Sequence, residues 1–243
     1  MSTDPALYLE AEATWSPAKA ERIGPWTIRT GLGGGQRVSA ATLDGDFDPS
    51  AIEGAEAAMA ARNQPPLFMV KDGQDAFDAE LDARGYQIVD PVVILRGDID
   101  TLAIPPEPIS AFTVWPPLQI MLDIWDAGGI GPARINVMER SSDPKTSILG
   151  RTDDRAAGAG FAAIHGDAAY VHALTVAPER RRRGVAVNMM RAAACWAKAN
   201  GATTLSVLVT QGNAGALTLY ENLNMQVVGQ YHYRAKPAQK DTE

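Results

Sequence analysis

The stretch Ala173–Met190, ALTVAPERRRRGVAVNMM, takes a short apolar run to a proline, through Arg180, Arg181, Arg182 and Arg183 to Gly184, and on into apolar residues at helical spacing. Proline has no backbone N–H to continue a ladder, and glycine permits a sharp entry into a helix. Strand, turn and helix mouth are therefore expected in that order. The first N–H groups of a helix lack partners within it, and with the helix dipole they favour an anion. Gly184 lets an anion approach the backbone, Val185 and Ala186 are small enough not to block it, and arginines add charge-assisted hydrogen bonds. The pattern specifies phosphate, and a pyrophosphate better than a single phosphate. A solvated turn or a nucleic-acid patch would use the same four arginines. Neither the G-x-G-x-x-G nor the G-x-x-x-x-G-K-[ST] phosphate fingerprint occurs.

Charge weighs against the nucleic-acid reading. The 243 residues carry a net charge of -7, whereas a general nucleic-acid binder presents a basic surface. Hydrophobic content of 46% and charged content of 21% suit a globular domain. A single cysteine, Cys195, excludes an internal disulfide or a multi-cysteine metal site and suits a reducing compartment. The segment MSTDPALYLE lacks the basic region and apolar core of a secretory signal, and no stretch approaches the roughly 18 apolar residues of a membrane helix. The expectation is a cytoplasmic protein with no membrane, nucleic-acid or metal partner.

Strands are predicted at Trp26–Thr30, Arg37–Leu43, Leu67–Val70, Gln87–Leu95, Thr146–Gly150, Ala157–His165, Ala169–Val176, Thr203–Val209 and Met225–Arg234. Helices are predicted at Ala51–Arg62, Ala76–Arg84, Pro117–Ala127, Val185–Asn200 and Asn213–Asn222, with Arg134–Arg140 a further helix or an extension of the one before. Five of the 16 prolines fall in residues 101–118, which puts a boundary near residues 98–110. Sliding the chain by 139 positions lays Leu67–Val70 on Ser206–Val209, Leu81 on Tyr220, Gly85-Tyr86 on Asn224-Met225, and Ile88-Val89 on Val227-Val228. A structural repeat follows, two related half-sheets at 1–100 and 101–243, with a disordered tail from about residue 236.

Arg181-Arg182-Arg183-Gly184-Val185-Ala186 resembles the [Q/R]-x-x-G-x-[G/A] signature of the GCN5-related N-acetyltransferases, the GNAT superfamily. Leu174-Thr175-Val176-Ala177-Pro178-Glu179 is similar to the strand entering that loop. Asn213, Ala216, Leu219 and Tyr220 are similar to its second signature, N-x-x-A-x-x-L-Y. The resemblance covers roughly residues 110–234, and faintly 26–95 as a degenerate copy. It implies an α/β (α+β) fold with a mixed, mostly antiparallel sheet whose splayed strands receive acetyl-coenzyme A. It implies an acyltransferase passing the acetyl group to an amine in a ternary complex, without metal; a non-catalytic coenzyme A-binding module is the alternative. The acceptor and the oligomeric state, a homodimer among the options, stay open.

By the same resemblance, the backbone of Leu174, Thr175 and Val176 pairs with the pantetheine arm. The N–H groups of Arg181, Arg182, Arg183, Gly184, Val185 and Ala186 hold the pyrophosphate, with the Arg181 or Arg183 side chain reaching phosphate and that of Arg182 turned outward. Asn213 contacts the arm, and Tyr220 protonates the departing thiolate. His172 is the candidate base: alternation puts it on the face of Leu174, two residues on. Glu139, Asp123, His165 or a water chain are alternatives. Asn224-Met225 stands where the family carries Gly-Phe. The amino-terminal copy has LDGDFDPSA in place of the arginine loop and Leu81 in place of Tyr220, so it is expected to bind no coenzyme A and to shape the acceptor cleft.

Overall fold

In the computed structural model, which describes residues 3–237, eleven strands form one sheet. They are β1 (Lys19–Ile23), β2 (Trp26–Thr30), β3 (Ala41–Leu43), β4 (Leu67–Lys71), β5 (Gln87–Asp98), β6 (Ala111–Val114), β7 (Lys145–Thr152), β8 (Arg155–His165), β9 (Ala168–Val176), β10 (Thr204–Thr210) and β11 (Gln226–Ala235). The helices are α1 (Pro5–Ala13), α2 (Ile52–Ala60), α3 (Asp75–Ala83), α4 (Ile99–Leu102), α5 (Gln119–Ala127), α6 (Pro132–Arg140), α7 (Val185–Ala199) and α8 (Ala214–Asn222). Strand order is β1-β2-β3-β4-β11-β5-β10-β9-β8-β7-β6, and only the β3–β4 and β9–β10 pairs are parallel among the described residues.

The order is a palindrome about the β11–β5 pair. Parallel β3–β4 on one side matches parallel β9–β10 on the other, and β11 separates β4 from β5 as β5 separates β11 from β10. The 139-residue offset carries α3 onto α8 residue for residue and the start of β5 onto the start of β11. Gly85 and Asn224, equivalent under that offset, both take positive φ, 80° and 57°. Asparagine is among the few non-glycine residues that enter this region readily, so Asn224 replaces a glycine without loss of the turn. Each half lends its last strand to the other, so the sheet closes only when both are present.

Helix α7 packs over the strands of the carboxy-terminal half, because the sequence leaves the strand surface bare beneath it. A Cβ at Gly150 or Gly158 would lie 2.5 or 2.8 Å from the Met189 sulfur. Val185, Met189 and Ala193 meet Ile148, Val171 and Val207 there. The opposite face is covered by α5 and α6, with Trp125, Met121 and Val137 against Phe161. In the amino-terminal half Trp26, Phe68, Phe77 and Tyr86 stack into one aromatic cluster under α2 and α3.

Several elements differ from expectation. The strand predicted at Arg37–Leu43 is a 3-10 turn, Gln36–Val38, followed by β3 alone. The glycines before it fold the chain back: Gly33 and Gly35 have φ of 78° and 102°, and a Cβ on Gly34 would lie 2.5 Å from Val137. Helix α1 and strands β1 and β6 have no counterpart in the sequence reading. Helix α1 is signalled by Asp4-Pro5, since the Asp4 carboxylate caps it at the Ala6 N–H and proline suits the first turn. The disordered tail expected from about residue 236 does not start there: Lys236 pairs with Glu56 at 2.9 Å and lies over the Tyr86 ring; residues 238–243 lie outside the described residues.

Arg234 of β11 ties the halves together. Its guanidinium, 6% exposed, donates to the Asp78 and Asp82 carboxylates of α3 and to the Tyr86 carbonyl. His232 adds a 2.7 Å contact to Asp78. The Arg234 hydrogen bond holds the Asp78 carboxyl below its ordinary range against the opposing effect of burial. Removing one partner strands the other, so Arg234→Met is expected to destabilise the protein by about 3 kcal/mol, measured by urea unfolding at neutral pH. A carboxyl depressed in the folded state stabilises above its unfolded pKa of about 3.9 and loses that contribution as pH falls through the folded value. The gap between wild type and Asp78→Asn should therefore close on acidification below about pH 4.

Candidate active site

Strands β9 and β10 pair from Ala168/Thr204 to Val171/Val207 and no further, although β9 continues to Val176 and β10 to Thr210. The opening coincides with a bulge. On the β8 side the register runs from Phe161↔His172 to Ala159↔Thr175, so Ala173 and Leu174 together oppose Gly160, and Ala173 takes φ of 52°. A left-handed alanine costs about 1–2 kcal/mol. It is held because the buried Trp125 indole N–H donates to the Ala173 carbonyl at 2.8 Å.

The bulge overturns one sequence expectation. Tyr170, His172 and Ala173 face α1, α5 and α6, whereas Val171 and Leu174 face α7. His172 is therefore not on the face of Leu174. It is buried, and its Nδ1 lies 3.2 Å from an Arg37 nitrogen, which can only donate. Nδ1 is thus the acceptor and Nε2–H donates to the Thr14 hydroxyl at 3.0 Å, which donates to the Glu10 carbonyl. Burial first, and the Arg37 charge second, push the His172 pKa well below its ordinary value. The ring is neutral with its lone pair engaged, so it has none to offer a substrate proton. It positions Arg37.

A groove of about 730 Å3 starts where the strands part. Leu174, Thr175, Val176, Arg181, Arg182, Gly184, Val185, Ala186, Asn213 and Tyr220 all line it. Arg183 is the exception: its side chain turns to Asp153 and shares that carboxylate with Arg180. Arg180 was not expected here but lines the groove, as do Gly128 and Leu219. Arg181 is anchored by its Nε–H donating to the Val176 carbonyl at 3.2 Å. Gly184 stands before α7 with φ of 76°, no side chain caps the helix, and a Cβ there would meet nothing within 4 Å. Bare helix N–H groups, open space and guanidinium groups make an anion site. Asn213 caps α8, its Oδ1 accepting from the Ala216 N–H at 3.1 Å.

Leu174, Asn213, Ala216 and Tyr220 also line a second cavity of about 410 Å3, which lies beyond the opening of the strands. Its other walls include Trp15, Gly34, Gly35, Arg37 and Asp90 from the amino-terminal half and Arg134, Tyr231 and Tyr233 from the carboxy-terminal half. Of the Tyr231–Arg234 cluster, the two tyrosines face the cavity while His232 and Arg234 bind Asp78. Tyr220 sits at the junction of groove and cavity, and burial raises its hydroxyl pKa to about 12. It is a neutral donor at physiological pH. Arg37, Trp15 and Asp90 escaped the sequence reading because they come from distant segments; the Gly33–Gly35 run before Arg37 was the one local signal.

Residues 118–225 match the model of the Acetyltransferase (GNAT) family. A curated relative, the uncharacterized N-acetyltransferase YobR of Bacillus subtilis (strain 168), is 25% identical over 93% of this chain and 96% of its own. Among solved structures, a GCN5-related N-acetyltransferase from Kribbella flavida superposes with a TM-score of 0.72 at 17% identity, covering 96% of this chain and 95% of that one. A tandem GNAT protein from the clavulanic acid biosynthesis pathway gives 0.59 at 11% identity, over 92% and 85% of the two chains. The match spans both signatures and the strand between them, so residues 118–225 carry a domain of the GNAT acetyltransferase family.

Proposed function

We propose that the protein transfers the acetyl group of acetyl-coenzyme A directly to the amine of a small acceptor. The observation that carries this is that the 730 Å3 groove and the 410 Å3 cavity adjoin at a shared wall, Leu174, Asn213, Ala216 and Tyr220. The diphosphate lies on the N–H groups at the mouth of α7 and near Arg181 and Arg182, and the pantetheine arm follows β9 as an added strand. The thioester then reaches Tyr220, and the amine enters from the cavity. As the amine nitrogen bonds to the acetyl carbon, the carbon–sulfur bond breaks. The sulfur takes a proton from the Tyr220 hydroxyl, and the nitrogen gives one up to water in the cavity, whose lining holds one carboxylate, Asp90.

Residues 1–100 form, in this proposal, a degenerate copy that binds no coenzyme A. At the position of the arginine loop, Asp48 caps a 3-10 turn through Ser50, and Asp44 is bound by Lys71 and Thr42. Carboxylates there repel a phosphate. The half contributes Arg37, Trp15 and Asp90 to the acceptor cavity instead. The single cysteine and the absence of a long apolar helix among the described residues support a cytoplasmic location.

Calorimetry with acetyl-coenzyme A tests the groove: Gly184→Glu is expected to weaken binding more than tenfold, roughly 1.4 kcal/mol, because it adds a side chain and a negative charge at the anion site. Intact protein that ignores acetyl-coenzyme A would sink the proposal. Tyr220→Phe is expected to lower kcat by about 10²-fold or more with the acetyl-coenzyme A Kd unchanged, as suits loss of a general acid. Since a pKa near 12 keeps Tyr220 protonated, kcat/KM for the wild type should rise with pH as the amine deprotonates, without a falling limb below about pH 10.

A further inference from the structure

We infer that the acceptor amine also carries a carboxylate, which Arg37 binds; this rests on the acyltransferase reading of the same site. Arg37 lines the acceptor cavity from the turn after Gly33–Gly35. Among the described residues no carboxylate lies within ion-pair distance of it. Its buried Nε–H has no hydrogen-bond partner, and one terminal nitrogen donates to neutral His172. Its guanidinium carbon lies 5.5 Å from the centre of the Trp15 ring. Of the arginines nearby, Arg29 forks onto Glu12 at 3.0 and 2.6 Å and Arg96 meets Glu10 and Ser206, while Arg134, on the same cavity wall, reaches the Gly129 carbonyl at 3.5 Å and lacks the buried seat that holds Arg37.

The chain thus builds a scaffold around a cation and brings no anion within ion-pair reach of it, Asp90 on the same cavity wall included. A partly buried donor left unsatisfied forfeits the hydrogen bond it made to water in the unfolded chain. That cost is recovered when a ligand brings the missing acceptor, and a planar guanidinium matches a carboxylate bidentately. The scaffold also holds the group in place: Trp15 under one face, and His172 at one edge, itself fixed through Thr14 to α1. A cavity of about 410 Å3 is near the lower end for small-molecule sites, which suits an amino acid or a similarly short amino-carboxylate. With the carboxylate on Arg37, the other end of such a molecule can face Tyr220, which lines the same cavity.

The test follows thiol release by the full chain with acetyl-coenzyme A and the proteinogenic amino acids, each against the matched amine lacking the α-carboxylate, such as L-phenylalanine against phenethylamine. At least one amino acid is expected to exceed its partner tenfold or more in kcat/KM. Arg37→Gln should bring that ratio to about one by raising KM, with Arg37→Lys restoring part of it and both variants keeping the wild-type Kd for acetyl-coenzyme A. A wild type that does not favour the amino acids over the partners lacking the carboxylate, or a preference that survives Arg37→Gln, overturns the inference and leaves the acyltransferase reading standing. If acetyl-coenzyme A binds but no amine of either kind releases thiol, the acyltransferase reading fails. Calorimetry of N-acetyl-L-amino acids against the coenzyme A complex then decides for Arg37: uptake lost in Arg37→Gln supports it, and no uptake by wild type refutes it.

Discussion

The hydrogen bond from the Trp125 indole to the Ala173 carbonyl holds the feature on which the site depends. With Ala173 in the left-handed region, β9 leaves β10 after Val171, and a groove opens inside a sheet that would otherwise be continuous. The same bulge sends Leu174 to the α7 face and keeps His172 on the other. One residue's backbone therefore divides the groove side of the sheet from the acceptor side. A buried tryptophan with a satisfied N–H can maintain a conformation that alanine alone would avoid.

The two halves contribute unequally to what the opening is used for. The carboxy-terminal half supplies the anion site at the mouth of α7, the edge of β9 and Tyr220. The amino-terminal half supplies Arg37, Trp15 and Asp90 across the cavity. The exchange of β5 and β11 makes this division possible, because it welds both halves into one sheet, with α1 against β9 and the Gly33–Gly35 turn against α6. Arg234, bonded to α3, strengthens that weld. Equivalent loops in the two halves carry opposite charge, four arginines before α7 and Asp44, Asp46 and Asp48 before α2. Carboxylates repel a phosphate where guanidinium groups attract it.

The arginine-to-helix segment was legible in the sequence because its chemistry is local. Gly184, the uncapped helix start and the flanking arginines are neighbours in the chain, and backbone rules alone bring them together. The spacing of 139 residues between α3 and α8, and between the starts of the strands after them, was legible for the same reason. His172 was misplaced because alternation along a strand assumes an unbroken pleat, and one bulged residue reverses every face beyond it. Arg183 differed because a carboxylate on the β7–β8 turn, Asp153, competes for its side chain.

From its residues alone this protein specifies a mixed sheet, an anion site before α7 and a tyrosine on α8, each written in contiguous segments whose local periodicity and turn chemistry suffice. Tertiary structure decided the strand exchange at the centre of the sheet, the face on which His172 lies and the meeting of Arg37 with Tyr220. Those outcomes depend on contacts between residues far apart in the chain, such as Trp125 with Ala173 and Arg37 with His172, and no local preference encodes them.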